Sequence, residues 1–181
     1  MKKVAITLFL LVSFSTFAQK YYTETENTQF KASVEAFEPV EAINNSTTAI
    51  INVTSGEIAS LLFVKAFNFR VALMQEHFNE NYMDSSTFPK ATFKGLISDF
   101  NLSDISSAEK KLLLKGILTV RGVEKEIDTL ATFSKKEEKL LMEASFGVQP
   151  EDFNIKIPKI VSDKIAGTIN ISLAYEFIEK K

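Results

Sequence analysis

The chain has 181 residues, a formal net charge of −2 and no cysteine. That length suits one domain with a substantial core, and the missing thiols exclude disulfides, thiol chemistry and covalent c-type haem, so packing alone must hold the fold. The mild acidity excludes a chain built to hold nucleic acid or an anionic membrane surface by its overall charge.

Residues 1–18 read as a signal peptide. Lys2 and Lys3 form a positive start, Val4 to Phe14 an apolar stretch, and Thr16-Phe17-Ala18 a small-residue cleavage site. The apolar stretch is too short for a permanent membrane-spanning helix. No cysteine follows it, which excludes a lipoprotein anchor. Cleavage near Ala18 predicts a periplasmic or secreted protein whose single domain is 19–181, with no second apolar run and so no stable membrane insertion.

Tyr21 to Asn27 is polar and reads as a loose start or an edge segment. Phe30, Ala32, Val34 and Ala36 alternate with Lys31, Ser33 and Glu35, which predicts a first strand. Pro39 interrupts it. Asn44-Asn45-Ser46 reads as a turn, with a second strand after it carrying Ala49, Ile51 and Val53. Ser55-Gly56 predicts a hairpin into a third strand from Ile58 to Phe67.

The period then changes. Val71, Met74, Phe78 and Tyr82 are spaced by three and four, which predicts one helix over 71–82, and Pro89 blocks its continuation. Ala91, Phe93, Gly95 and Ile97 resume the strand period. A polar loop over 101–111 precedes a strand over 112–122, a further strand through Ile127 to Phe133, a charged hairpin tip at Lys135-Lys136-Glu137-Glu138, and a strand from Leu140 to Val148. Pro150 to Asp152 reads as a turn or one helical turn, and Ile155 to Pro158 as a short extended piece. The last third alternates most strictly. Ile165, Gly167, Ile169, Ile171, Leu173, Tyr175 and Phe177 share one face, against Lys164, Ala166, Thr168, Asn170, Ser172, Ala174 and Glu176 on the other. About eight such strands with one helical excursion predict an all-β fold, an eight-stranded antiparallel closed barrel.

A catalytic reading finds little to work with. His77 is the one histidine, no G-x-S-x-G nucleophile motif is present, and no second histidine stands at ligand spacing. Glu76 and Glu80 lie one turn apart, which in a helix is most often a solvated face. The chain therefore reads as neither an enzyme nor a metal protein, and it calls for no cofactor. Small residues share faces with large ones: Ala32 and Ala36 with Phe30, Gly95 with Phe93, Ala144 with Phe146, Gly167 with Ile169. An eight-stranded barrel is just wide enough either to be filled by its side chains or to hold one small ligand. The sequence leaves both readings open, and in the second Gly167 and Ala144 are space left for the ligand.

Two motifs narrow the choice. Met74-Gln75-Glu76-His77-Phe78 followed by Phe88-Pro89-Lys90-Ala91-Thr92-Phe93-Lys94-Gly95, and Gly116-Ile117-Leu118-Thr119-Val120-Arg121-Gly122-Val123, resemble the signatures of the YceI-like proteins. The resemblance covers nearly all of the chain after the leader. It implies a lipocalin-like barrel with a flanking helix, holding a polyisoprenoid or isoprenoid quinone in an apolar tunnel. The departures, Met74-Gln75-Glu76 before the histidine and a short loop ahead of the helix, fall where the pocket's mouth should be.

On this reading the tunnel residues are Phe67, Phe69, Met74, Phe78, Phe93, Leu118, Val120, Phe146, Phe153, Ile169, Ile171 and Leu173. His77 and Arg121 are the candidates for a polar head group. Their competing roles are a hydrogen bond on the helix and a salt bridge at the barrel end. The partner expected is an apolar lipid and not a nucleic acid. A homodimer is left open, and so is a structural or stress-related barrel with a filled core and no ligand.

Overall fold

The computed structural model describes residues 20–23 and 26–179, and the signal segment predicted over 1–18 lies outside them. The strands are β1 (Lys20–Tyr22), β2 (Glu26–Ser33), β3 (Glu41–Asn52), β4 (Glu57–Phe63), β5 (Phe67–Phe69), β6 (Lys90–Ile97), β7 (Lys110–Val120), β8 (Val123–Lys136), β9 (Lys139–Val148) and β10 (Ile165–Glu179). Two short helices, α1 (Ala72–His77) and α2 (Lys159–Ser162), lie in the connections.

Eight antiparallel strands close the barrel in the order β2-β3-β4-β6-β7-β8-β9-β10, and β10 pairs with both β9 and β2. β1 continues the line of β2. Tyr21 lies opposite Glu179 of β10 and Ile51 of β3 and is buried in the core, so the start of the fold is paired on both sides and is neither the loose start nor the edge segment its composition suggests. β5 likewise continues β4 beyond a single 3-10 turn, Val64–Ala66, which breaks the third strand expected to run on to Phe67.

The turn expected at Asn44-Asn45-Ser46 is not a turn. β3 runs through it, and an extra residue is inserted there, because Glu26 opposes Thr47 while Thr28 opposes Asn44. The buried face shifts accordingly from Ala42 and Asn44 to Thr47, Ala49 and Ile51. Asn44 makes this bulge stable. Its carbonyl oxygen accepts from the Ser46 N–H and hydroxyl, and its amide donates to the Phe63 carbonyl at 2.8 Å, where β4 leaves the ladder. The side-chain chemistry that makes asparagine a turn residue here serves a bulge.

The strand expected over 112–122 ends at Val120, and Arg121 and Gly122, with φ of 50° and 74°, form the two-residue turn between β7 and β8. The helix predicted over 71–82 is α1 followed by one wider turn, Phe78–Tyr82. The sequence pattern gives no sign of α2.

The interior divides in two. Toward the β3–β4 and β8–β9 hairpins, Ile51, Ile97, Leu114, Ala131, Phe133, Leu140, Met142 and Phe177 are each at most 1% exposed and form a filled core. Toward the connections that carry α1 and α2, a smaller cluster around Phe30, Leu62, Phe67 and Met83 lines the wall without filling the centre. Gly95 and Gly116 face each other near the boundary. A Cβ on Gly116 would stand 2.4 Å from the Lys94 carbonyl oxygen and 2.6 Å from the Phe93 ring. The space beside Gly95 is thus taken by Phe93 rather than left for a ligand.

Candidate functional site

The unfilled half is an apolar cavity of about 520 Å³, within the usual size range of small-molecule sites. Strand alternation builds its wall. β2 contributes Phe30 and Ala32, β7 Leu118 and Val120, β9 Phe146 and Val148, and β10 Ile169, Ile171 and Leu173. The rim comes from the connections: Met74 and Phe78 from the helix, Phe153 and Ile155 from the β9–β10 connection, Val161 from α2. Phe67 and Phe69 on β5 complete the set. All twelve residues expected along the tunnel line this cavity.

Four phenylalanines hold the helix onto the barrel mouth. Phe78 stacks on Phe30 with ring centres 5.3 Å apart, and meets Phe67 at 5.5 Å and Phe69 at 5.0 Å. Such contacts favour one seating of the helix over others of equal buried area. At the floor, Phe93, Leu114 and Tyr175 belong both to the cavity wall and to the filled core. The Thr28 hydroxyl lies 2.8 Å from that of Thr47 and 3.3 Å from the Tyr175 hydroxyl. These buried polar groups satisfy one another, so a bound molecule need bring no polar end to the floor.

The two head-group candidates separate. His77 is exposed at the end of α1 and borders the cavity. Arg121 does not reach it. Its Nη1 donates to the Asn154 carbonyl at 2.8 Å and its guanidinium lies 5.7 Å from the Phe88 ring centre, so it ties the β9–β10 connection to the β7–β8 turn. That contact takes the place of the salt bridge weighed for it. A second clamp holds the same connection. Lys125 on β8 donates to Asp152 at 2.8 Å and holds its carboxyl below the usual range, with the Gln149 N–H adding to the effect.

Most of the residues expected to leave space do not. Ala144 is 6% exposed within the filled core. Ala36 sits in the β2–β3 turn. Gly167 is exposed, where the pairing of β10 with β2 is broken between Ile165 and Asn170. A Cβ on Gly167 would meet no atom within 4 Å, so open space lies beside it, although it is not among the residues that line the cavity. Ala32 does line the cavity.

Sequence reasoning missed Leu73, Lys164, Ile157 and Phe30 as wall or rim residues. Ile155 and Ile157 alternate around Lys156, and that period-two signal was present in the sequence. Among the described residues no group of three or more His, Asp or Glu side chains is placed to hold a metal ion, and no helix is long and apolar enough to cross a membrane.

The YceI-like domain family matches residues 12–177. The chain belongs to the YceI-like family. No curated protein sequence matches it. Among solved structures, a polyisoprenoid binding domain from Saccharophagus degradans implicated in plant cell wall breakdown is similar at a TM-score of 0.76 and 12% identity, covering 88% of this chain and 98% of that one. Burkholderia cenocepacia BcnA is similar at 0.69 and 15% identity, covering 83% of this chain and 95% of that one. A Campylobacter jejuni YCEI protein covers 99% of this chain and 94% of its own at 0.58 and 13% identity. At these identities the likeness is one of fold.

Proposed function

We propose that this YceI-like protein is an exported binding protein that holds one long apolar lipid, a polyisoprenoid chain or an isoprenoid quinone, in the open half of its barrel. The cavity carries the reading: it is preformed, about 520 Å³ and walled by aliphatic and aromatic side chains from the barrel strands and rim. A chain moved into it from water gains about 0.8 kcal/mol per buried CH₂, and a preformed wall limits the ordering cost. The polyisoprenoid binding named for the Saccharophagus degradans domain supports the same ligand class.

The reading is one of binding rather than catalysis. Of the polar residues that border the cavity, His77, Tyr82 and Lys164 stand at its rim, Ser60 and Thr92 lie on the wall strands β4 and β6, and the Thr28 and Tyr175 hydroxyls at its floor are engaged with each other. His77 is the head-group candidate that remains at the mouth.

Native mass spectrometry and organic extraction of the purified protein test this. Copurified isoprenoid lipid is the expected result. A ligand-free protein that also fails to take up added quinone overturns it in favour of a structural barrel. Export is tested by fractionation and N-terminal sequencing, with a mature protein starting at Gln19 expected outside the cytoplasm.

A further inference from the structure

Large apolar side chains are exposed on this molecule in two settings. Ile43, Ile50, Phe63, Leu96 and Leu130 lie on strands of the outer wall. Phe37, Leu73 and Ile160 lie on connections, and all three connections are at the open end. The connections at the filled end carry instead Asp99, Asp104, Glu109, Glu137 and Glu138.

Ile160 is the extreme case at 87% exposed. It sits in α2, beside Val161 and close to Lys164, both of which line the cavity. Lys156, Lys159 and Lys164 surround it in sequence. None of the three has a carboxylate within ion-pair distance among the described residues, where the ion pairs are Lys110–Asp104, Lys115–Asp128, Lys125–Asp152 and Lys139–Glu176. Lys164 reaches over the Phe37 ring, 6.0 Å from its centre, and so links two of the apolar connections.

We propose that this rim docks on the surface of an anionic lipid bilayer, with Ile160 entering the headgroup layer and Lys156, Lys159 and Lys164 meeting lipid phosphates. An exposed apolar side chain flanked in sequence by three lysines outside any ion pair matches such a surface in both respects, apolar below and negative above. Lysine stems also lie along apolar surface while their charges stay at the phosphate level. Glu35, Glu38, Glu76, Glu80, Asp84, Glu151 and Asp163 lie on the connections of the same end, so the attraction is confined to the segment around Ile160 and the apolar residue is needed with it. The overall acidity of the chain, which excludes docking by net charge, does not oppose a patch of this size. Docking here would turn the cavity mouth toward the bilayer. The inference goes beyond the lipid-binding reading, since it can be read with the cavity empty.

The chain contains no tryptophan, so a tryptophan introduced at one position reports that position alone. Ile160→Trp tests the rim, and Leu130→Trp, on the outer wall at a residue 58% exposed, is its control. Both replace exposed side chains and leave the core untouched. Vesicles of phosphatidylcholine with phosphatidylglycerol should shift the Ile160→Trp emission to the blue and leave Leu130→Trp unchanged. The shift should fall several-fold in high salt, and again in a background carrying K156Q, K159Q and K164Q. No shift at Ile160→Trp overturns the proposal, as does an equal shift at Leu130→Trp or on pure phosphatidylcholine. A shift that grows with protein concentration without vesicles also overturns it and identifies self-association. A protein that shows the rim shift but never holds a lipid overturns the carrier reading alone.

Discussion

At the filled end of the barrel, Phe133 and Phe177 show no exposed surface and are surrounded by Leu140, Met142 and Ile97. At the open end, Phe69 and Phe78 are only partly buried, and one side of their ring cluster faces empty space. Both ends are written in the same alternation of apolar and polar residues. The difference lies in what else reaches the interior. The filled end is sealed by two short hairpins, by the β6–β7 connection, whose Ile105 is buried in the core, and by β1, whose Tyr21 packs into it. The open end is spanned by the long connections that carry α1 and α2. A barrel of fixed strand number can therefore be both stability core and container, divided along its axis.

The largest effect expected is a contrast between two phenylalanines. Phe133→Ala removes a fully buried ring from the filled end and should cost about 3–5 kcal/mol in urea unfolding. Phe78→Ala should cost about 1 kcal/mol, typical of a partly buried position, while sharply weakening lipid retention. Equal losses of stability at the two positions would mean that the division of the interior has no energetic meaning.

Volume sharpens the same contrast. Ala144→Leu adds atoms to a filled core and should destabilise by about 1–3 kcal/mol, with the bound lipid retained by whatever fraction stays folded. Ile171→Trp adds atoms to the cavity and should change stability by less than about 1 kcal/mol while excluding the ligand. Unfolding curves and native mass spectra of the two variants together check this. Loss of ligand from folded Ala144→Leu protein would place that residue on the cavity instead.

That reversal for Ala144 shows what a period-two pattern can carry. Alternation tells which side chains point inward, and it marked most of the strands and the expected wall residues that lie on them, whereas Met74 and Phe78 belong to the helix and Phe153 to the turn after β9. It does not tell how far along the barrel axis a residue sits. Ala144 and Phe146 share a face, yet one lies in the filled core and the other on the cavity wall. Gly95 shares the face of Phe93, but the ring folds over the glycine and uses the space itself. Asn44 carried a turn signal because its side chain bonds locally, and only the departure of β4 from the ladder makes that bond a bulge. α2 is four residues long, too short for a helical period to show. The helix at 71–82 was legible, and with it the end of the barrel that stands open.

The smallest effect expected is a pH dependence confined to the open end. The Asp152 carboxyl is held below its ordinary range by the hydrogen bond from Lys125 and the Gln149 N–H, against a weaker opposing effect of desolvation. A carboxyl depressed in the folded state contributes stability above the unfolded value, near pH 4, and loses it as the pH falls through the lower folded value. Both partners reach solvent, so the contribution is screened and global stability should change little. The local effect should be clearer. Protonation frees the turn Pro150–Phe153 from β8, although Arg121 still holds Asn154, and the amides of Asn154 and Ile155, which donate to Glu151 and Pro150, lose protection first. Hydrogen exchange at decreasing pH should show these amides opening while those of β8 and β9 at the filled end stay closed. Asp152→Asn should show the opening already at neutral pH and no further acid step. An identical acid profile in that variant would assign the opening to another group and leave the clamp without a role in holding the mouth.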